Sequence, residues 1–289
     1  MKRVLKLGLA VGLAMAVSLM GCKHESNEPE TMPIPSPVPC QVVSGIEGSQ
    51  VFIDGRTVDI FVAWASDHEV TQAEYKSVMG ENPSVFQRNP ASGETQENRP
   101  VEKVTWYECL IYCNKRSMNE GLTPCYTIKG STNPSDWGSV PTNYNSDWDS
   151  ATCNFEANGY RLPTEAEWEY LARGGNTTNS GQTRYSGSDT VEDVAWYFLN
   201  CGDKTHEVKK KSPNAFGLYD MSGNVREWCW DWDSEITADT PSVGASSGNY
   251  RIHRGGSWFN DYGSVSGRSS GCPFSDLDYY GFRVVRSAN

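Results

Sequence analysis

Three places in this chain carry a signature that fixes a helix start, and each is bracketed by residues that do not continue a helix. Thr71-Gln72-Ala73-Glu74, Thr105-Trp106-Tyr107-Glu108 and Thr164-Glu165-Ala166-Glu167 each put a Thr oxygen where it accepts from the backbone. The Glu three residues on then reaches back to the Thr N–H. The third box follows Pro163, and its helix is expected to end at Gly174-Gly175. Around these starts run Gly/Ser/Asn/Asp segments at 130–158, 174–190 and 233–250. With 27 Gly and 15 Pro in 289 residues, a coiled coil is excluded, while 10 Trp and 14 Tyr argue against a disordered chain. Residues 50–62 read as a hairpin turning at Asp54-Gly55. Few elements and much ordered coil predict an α+β domain whose loops carry function.

The first 42 residues are of another kind. Lys2, Arg3 and Lys6 precede an apolar run at 7–20 that is short for a spanning helix. The run ends in Leu19-Met20-Gly21-Cys22, which resembles the bacterial lipoprotein lipobox, where the chain is cut before a Cys that carries lipid. An ordinary signal peptide or membrane anchor is the alternative. Pro29, Pro33, Pro35, Pro37 and Pro39 favour extended backbone, so 22–42 reads as a tether. The expected organisation is a signal peptide at 1–21, the tether at 22–42 and one domain at 43–289. Lipidated Cys22 would hold that domain to a bacterial cell envelope, on the outer-membrane surface. The balance of 25 basic and 36 acidic residues gives a formal net charge of −11. Such a surface repels phosphate backbones and anionic bilayers, so no nucleic-acid partner is expected, and the lipid is the expected membrane contact.

Eight further cysteines stand at 40, 109, 113, 125, 153, 201, 229 and 272. Cys109 and Cys113 share a helix face, but the four His residues (24, 68, 206, 253) supply no second close ligand pair, so buried thiols or a few disulfides are favoured over a metal.

Five motifs follow in order: Asn98-Arg99-Pro100-Val101-Glu102-Lys103-Val104-Thr105-Trp106, Gly159-Tyr160-Arg161-Leu162-Pro163-Thr164-Glu165-Ala166-Glu167-Trp168-Glu169-Tyr170, Gly217-Leu218-Tyr219-Asp220-Met221-Ser222-Gly223-Asn224-Val225-Arg226-Glu227-Trp228, Arg254-Gly255-Gly256-Ser257-Trp258 and Gly281-Phe282-Arg283. Together they resemble the formylglycine-generating-enzyme (sulfatase-modifying factor) family. The resemblance implies an α+β domain with a variant of the C-type lectin fold. It also implies where copper-binding cysteines would stand, and those positions hold Asn260 and Val265, neither of which offers a thiolate. No enzymatic activity is therefore expected. Asp231 and Asp233 could be imagined as an acid/base pair, but a solvated face beside Trp rings is the favoured reading. The resemblance further implies one calcium site at Asp220, the carbonyls of Gly223 and Val225, and Glu227, a donor set suited to a hard cation. A second family site is not supported, because Trp196 stands where an Asn ligand would be. Without metal, Asp220 would bond a turn and Glu227 would pair with an Arg. No cofactor is required, and calcium is the one candidate.

Residues 259–280 lack Lys, Gln, Glu, Met and Trp, types that make up 54 of the 289 residues. About four would be expected in such a stretch, and drawing none has a chance of roughly one in a hundred. Codons ending in T or C encode none of these five, so randomising the first two bases of Asn codons would leave this composition. The segment lies near the C-terminus between Gly-Gly-Ser-Trp and Gly-Phe-Arg, an arrangement similar to the variable proteins of diversity-generating retroelements. That resemblance implies a displayed binding protein. Its candidate contacts are Phe259, Asn260, Asp261, Tyr262, Gly263, Gly267, Ser269, Ser270, Gly271, Cys272, Phe274, Ser275, Leu277, Asp278, Tyr279 and Tyr280. Within the segment Val265 should pack inward, Arg268 anchor the loop and Pro273 fix a turn. Aromatic, Ser and Gly residues suit an adaptable paratope. The aromatics could instead be partly core. The expected partner is an unidentified protein or glycan on host or neighbouring cells, bound by a monomer. A fixed-specificity adhesin and a related oxidase are the alternatives.

Overall fold

The computed structural model describes residues 38–39, 51–53, 55–178, 180–259 and 263–287. The signal segment, Cys22, Cys40, most of the tether, Asp54, Asn260, Asp261 and Tyr262 lie outside the described residues.

All three capping boxes form. Thr71, Thr105 and Thr164 each accept from the N–H of the Glu three residues on, whose carboxylate takes the Thr N–H in return. They start the helices Gln72–Met79, Trp106–Asn119 and Glu165–Ala172. The last ends where the two glycines stand: the N–H groups of Gly174 and Gly175 bond back to Leu171 and Tyr170, both at 3.0 Å. Gly175 has φ +82°, and a Cβ there would meet the Phe216 ring at 2.3 Å. Only glycine fits both the backbone and the space.

Two sheets frame the molecule. In the larger, strands lie in the order Arg268–Gly271, Arg251–Arg254, Arg226–Trp232, Tyr280–Gly281, antiparallel except for the last pair. In the smaller, the late strand Val285–Ser287 sits between Val62–Ala65 and Tyr160–Arg161, so the two ends of the domain are zipped together. The hairpin expected at 50–62 does not form. Thr57–Val58 pairs with Val38–Pro39, and Val62–Ala65 pairs with Val285–Ser287. Phe52, Val58, Ile60 and Val62 are all buried in one cluster with the helix Glu165–Ala172. The local turn still closes, with Arg56 N–H on the Ile53 carbonyl at 3.2 Å, but long-range burial of both runs sends their strands to other partners.

The core is unusually polar for its depth. Trp106 and Trp232 sandwich the Arg251 guanidinium, which lies 3.7 and 3.4 Å from the two ring centroids. Glu169 binds Arg173 and Arg254, Glu167 binds Arg161, and Glu227 binds Arg283, every one of these side chains fully buried. Desolvated charges of this kind persist only when paired, and they tie the helix Glu165–Ala172 to strand Arg251–Arg254. Among the described residues Cys109, Cys113, Cys125, Cys153, Cys201, Cys229 and Cys272 are free thiols. No described helix is long and apolar enough to cross a membrane.

Candidate functional site

The segment with the depleted composition forms one edge of the larger sheet and the turns beyond it. Its backbone is held by framework groups. The N–H of Trp106 bonds the carbonyl of Pro273 at 3.0 Å, that of Lys103 the carbonyl of Leu277 at 3.2 Å, and that of Arg226 the carbonyl of Tyr279 at 2.8 Å. The Trp258 indole donates to the carbonyl of Asp278 at 3.0 Å and the Ser222 hydroxyl to that of Gly263 at 2.7 Å. The Arg254 guanidinium donates to the carbonyl of Gly267. None of these bonds uses a side chain of the segment, so each survives when those side chains change.

The three residues read as scaffold behave as such. Val265 is fully buried within an apolar cluster. Arg268 forks onto Glu165 at 2.7 and 2.9 Å and reaches Asp233 at 2.9 Å. Pro273 is buried at the turn that Ser275 N–H closes onto Cys272 at 2.9 Å.

Of the candidate contacts, Phe259 is 56% and Leu277 41% exposed. Gly267, Ser269, Ser270, Gly271, Cys272, Phe274, Ser275, Asp278 and Tyr279 are half-buried. Phe259 stacks on Tyr279, centroids 5.5 Å apart and planes 5° apart, giving an aromatic step at one end of the face. Two candidates are not surface positions. Tyr280 is 6% exposed, packed on Trp228 at 4.7 Å with its hydroxyl 3.2 Å from His253 Nε2. Gly263 is buried with φ +57°, and a Cβ there would stand 1.8 Å from the Gly255 carbonyl oxygen. Both are corrected to framework: the strand register points Tyr280 into the core, and backbone crowding admits no side chain at 263.

A groove of about 650 Å³ runs between this segment and the loop at 140–142, within the run 130–158. Phe274, Ser275, Asp276 and Leu277 form one wall, and Val140, Pro141 and Thr142 face them. Beyond them Tyr144, 50% exposed, lies edge-on to Phe274 at 4.9 Å, its hydroxyl 3.4 Å from Cys272 Sγ. The one signal for Tyr144 was an aromatic inside a Gly/Ser/Asn/Asp run. Arg184, whose carbonyl accepts from Val265 N–H beside the same segment, carries no local signal.

Of the suggested metal ligands, the two carboxylates are buried and carry protein partners. Both Glu227 oxygens are taken, by Arg283 at 2.7 Å each and by the Trp168 indole at 2.6 Å. Asp220 accepts from Lys209 N–H at 2.7 Å, which leaves its Oδ1 without a hydrogen-bond partner. Burial raises the Asp220 carboxyl to about 6 despite that bond. Among the described residues no group of three or more His, Cys, Asp or Glu could hold a metal. Glu227 pairs with Arg283, and the buried Asp220 Oδ1 is the oxygen of the two carboxylates left without a hydrogen-bond partner. Nor do Asp231 and Asp233 form an acid/base pair. Asp231 accepts from Glu165 N–H at 2.7 Å, while Asp233 takes Arg268 and the Ser270 hydroxyl.

Comparison with known proteins agrees with this geometry. Residues 55–288 match the sulfatase-modifying factor enzyme 1-like domain family. The structure is similar to Treponema denticola variable protein 1, with a TM-score of 0.77 and 40% identity over 88% of this chain and 94% of that one. In sequence it is 44% identical over 220 residues to the chaperone protein LppX of Paenibacillus barcinonensis, covering 70% of this chain and 71% of that protein. It is 37% identical over 165 residues to the formylglycine-generating enzyme of Streptomyces coelicolor, a match spanning 49% of this chain and 51% of the enzyme. The α+β fold class expected from the five motifs is the one observed.

Proposed function

This chain belongs to the sulfatase-modifying factor enzyme 1-like family, and from that premise we propose that it is a displayed binding protein whose face at 259–279 is rewritten to change what it binds. One observation carries the reading: framework donors hold the segment through its carbonyls, so side chains other than those at 263, 265, 268 and 280 are free to differ without loosening it. The similarity to a Treponema denticola variable protein supports it, as does the absence of five residue types from the stretch. Binding is favoured over oxidation because Val265, where the family resemblance puts a copper cysteine, is buried among apolar side chains. Lipid attachment at Cys22 is part of the same proposal, since a tethered domain on the envelope meets external ligands.

The decisive observation is genetic. The proposal expects a near-copy of this gene's 3′ end beside a reverse transcriptase gene, with adenines in that copy wherever the two differ. Absence of the copy, or differences at other bases, replaces this reading with an adhesin of fixed specificity. Copper-dependent oxidation of a Cys-containing sulfatase peptide by the purified protein would overturn the binding role. A Cys22→Ala chain that still labels with fatty acid would remove the anchor.

A further inference from the structure

The groove between the segment and the loop at 140–142 is apolar along its sides and short of one cation. Val140 and Pro141 face Phe274 and Leu277, and the charged residues of its described lining are Glu108, Asp276 and Lys103. Lys103 Nζ reaches Asp276 at 3.9 Å with both side chains over 40% exposed, a contact that water screens heavily. Glu108 has one oxygen committed. As the capping partner of the helix Trp106–Asn119, its Oε2 takes the N–H and the hydroxyl of Thr105, both at 2.8 Å. Among the described residues no hydrogen bond or ion pair reaches its Oε1. Burial first, and then the like charges of Asp276 and Glu81, raise the Glu108 carboxyl against the bonds from Thr105, as expected where a carboxylate lacks a cation. The groove is also preformed. Trp106 N–H on the Pro273 carbonyl and Lys103 N–H on the Leu277 carbonyl fix the segment beside the helix start through backbone alone.

Resting on the reading of the adjoining segment as a binding face, we propose that this groove takes a lysine or arginine side chain of a protein ligand, its stem along the apolar walls and its cationic head at Glu108 and Asp276. Lys and Arg are the side chains that join a long aliphatic stem to a positive charge, and they lay such stems on apolar surface. The described lining holds no Asn, Gln, Trp or Tyr to fix a sugar's hydroxyls or stack its ring, which favours a protein over a glycan. Glu108, Val140 and Pro141 lie outside the segment, so they stay when its side chains change. Every version of the face thereby keeps a preference for basic ligands, and the replaceable residues choose among them.

The test is an amide NMR titration of the full chain with the Nα-acetyl amides of lysine, arginine and norleucine, and with methyl glucoside, at fixed ionic strength. The lysine and arginine compounds should shift the amides of Glu108, Val140, Thr142 and Ser275 saturably at millimolar concentration. Norleucine, which keeps the stem and lacks the charge, should bind about tenfold more weakly. Glu108→Gln keeps the helix cap, since Gln serves at that position, and should weaken lysine binding about tenfold. Asp276→Asn should weaken it about threefold, and Lys103→Gln, which removes the competing ammonium, should strengthen it about threefold. Asp239→Asn, at an exposed carboxylate outside the groove, should leave it unchanged. No saturable shift up to about 50 mM, equal affinity for norleucine, or saturable shifts from methyl glucoside alone overturns the proposal. So does unaltered affinity in both Asp276→Asn and folded Glu108→Gln. The genetic observation described above can fail without touching this result, and this titration can fail while that observation holds.

Discussion

The helix Glu165–Ala172 and the segment 263–280 both end against the larger sheet, yet they are secured in opposite ways. The helix is held by its side chains. All eight of its residues are buried, and Glu165, Glu167 and Glu169 reach Arg268, Arg161, Arg173 and Arg254. The segment is held, apart from the side chains of Val265, Arg268 and Tyr280, by its backbone, through carbonyls that accept from Trp106, Lys103, Arg226, Trp258 and Ser222. A stretch whose side chains carry the fold is frozen in sequence, and one whose carbonyls carry it is free to change. That contrast separates framework from face in this molecule.

The contrast is most strongly tested where framework charge is deepest. Arg283→Met strips the partner from fully buried Glu227 and should cost about 3–5 kcal/mol by chemical denaturation. A cost under about 1 kcal/mol would mean that the buried pairs do not secure the framework. Inside the segment, Tyr280→Ala should behave as a core deletion, at about 3 kcal/mol, because its ring packs on Trp228 and His253. Gly263→Val should cost about 2–3 kcal/mol, because its Cβ would collide with the Gly255 carbonyl.

Stability should also fall as pH rises from about 6.5 to 9. Burial works against charge on His68, but hydrogen bonds to Asp67 and Glu74 outweigh it and raise the imidazole to about 9. Its contribution is complete below the ordinary value of 6.5 and is lost as pH climbs through 9. Glu102, raised by burial to about 7, and Asp231, raised by burial to about 8, act in the same direction from lower pH, because between the ordinary carboxylate range and those values the folded chain keeps a proton that the unfolded chain has released. His68→Asn should flatten the alkaline limb by on the order of 1–2 kcal/mol in thermal melts across that range. On the acid side, Asp67 and Glu74 are both lowered to about 2, by His68 against the pull of burial, and lose their contribution as pH falls through about 4 to 2. The smallest effect is expected on the face itself: Phe259→Ala and Leu277→Ala should each stay within about 0.5 kcal/mol in the same melts.

Much of the framework was legible because its signals are local. A Thr with a Glu three residues on caps a helix wherever it sits, and paired glycines stop one, so the three helices could be read directly. Arg268 and Val265 stood out as the residues in a Gly/Ser-rich run with something to bury or pair. The missed features depend on distant partners. Phe52 and Ile60 alternate as a hairpin would, yet the helix Glu165–Ala172 draws them inward. Tyr280 resembles its neighbour Tyr279, and only the register against Arg226 shows that it faces the core. Glu227 carries a calcium-like pattern, but Arg283, 56 residues on, occupies both of its oxygens. The loop of Val140 and Tyr144 reaches the face only through folding, so nothing near it in sequence named it as a wall.

The most direct test of the central claim is a library in which Phe259 and each residue of 263–280 is randomised singly, displayed, and sorted for resistance to protease. The account predicts that Phe259, Ser269, Phe274, Ser275, Asp276 and Leu277 accept nearly every residue, while Gly263, Val265 and Tyr280 accept almost none. Intolerance at Phe259, Phe274 and Leu277 equal to that at Tyr280 would contradict it, because the segment would then be held by the side chains that the proposed function requires to vary.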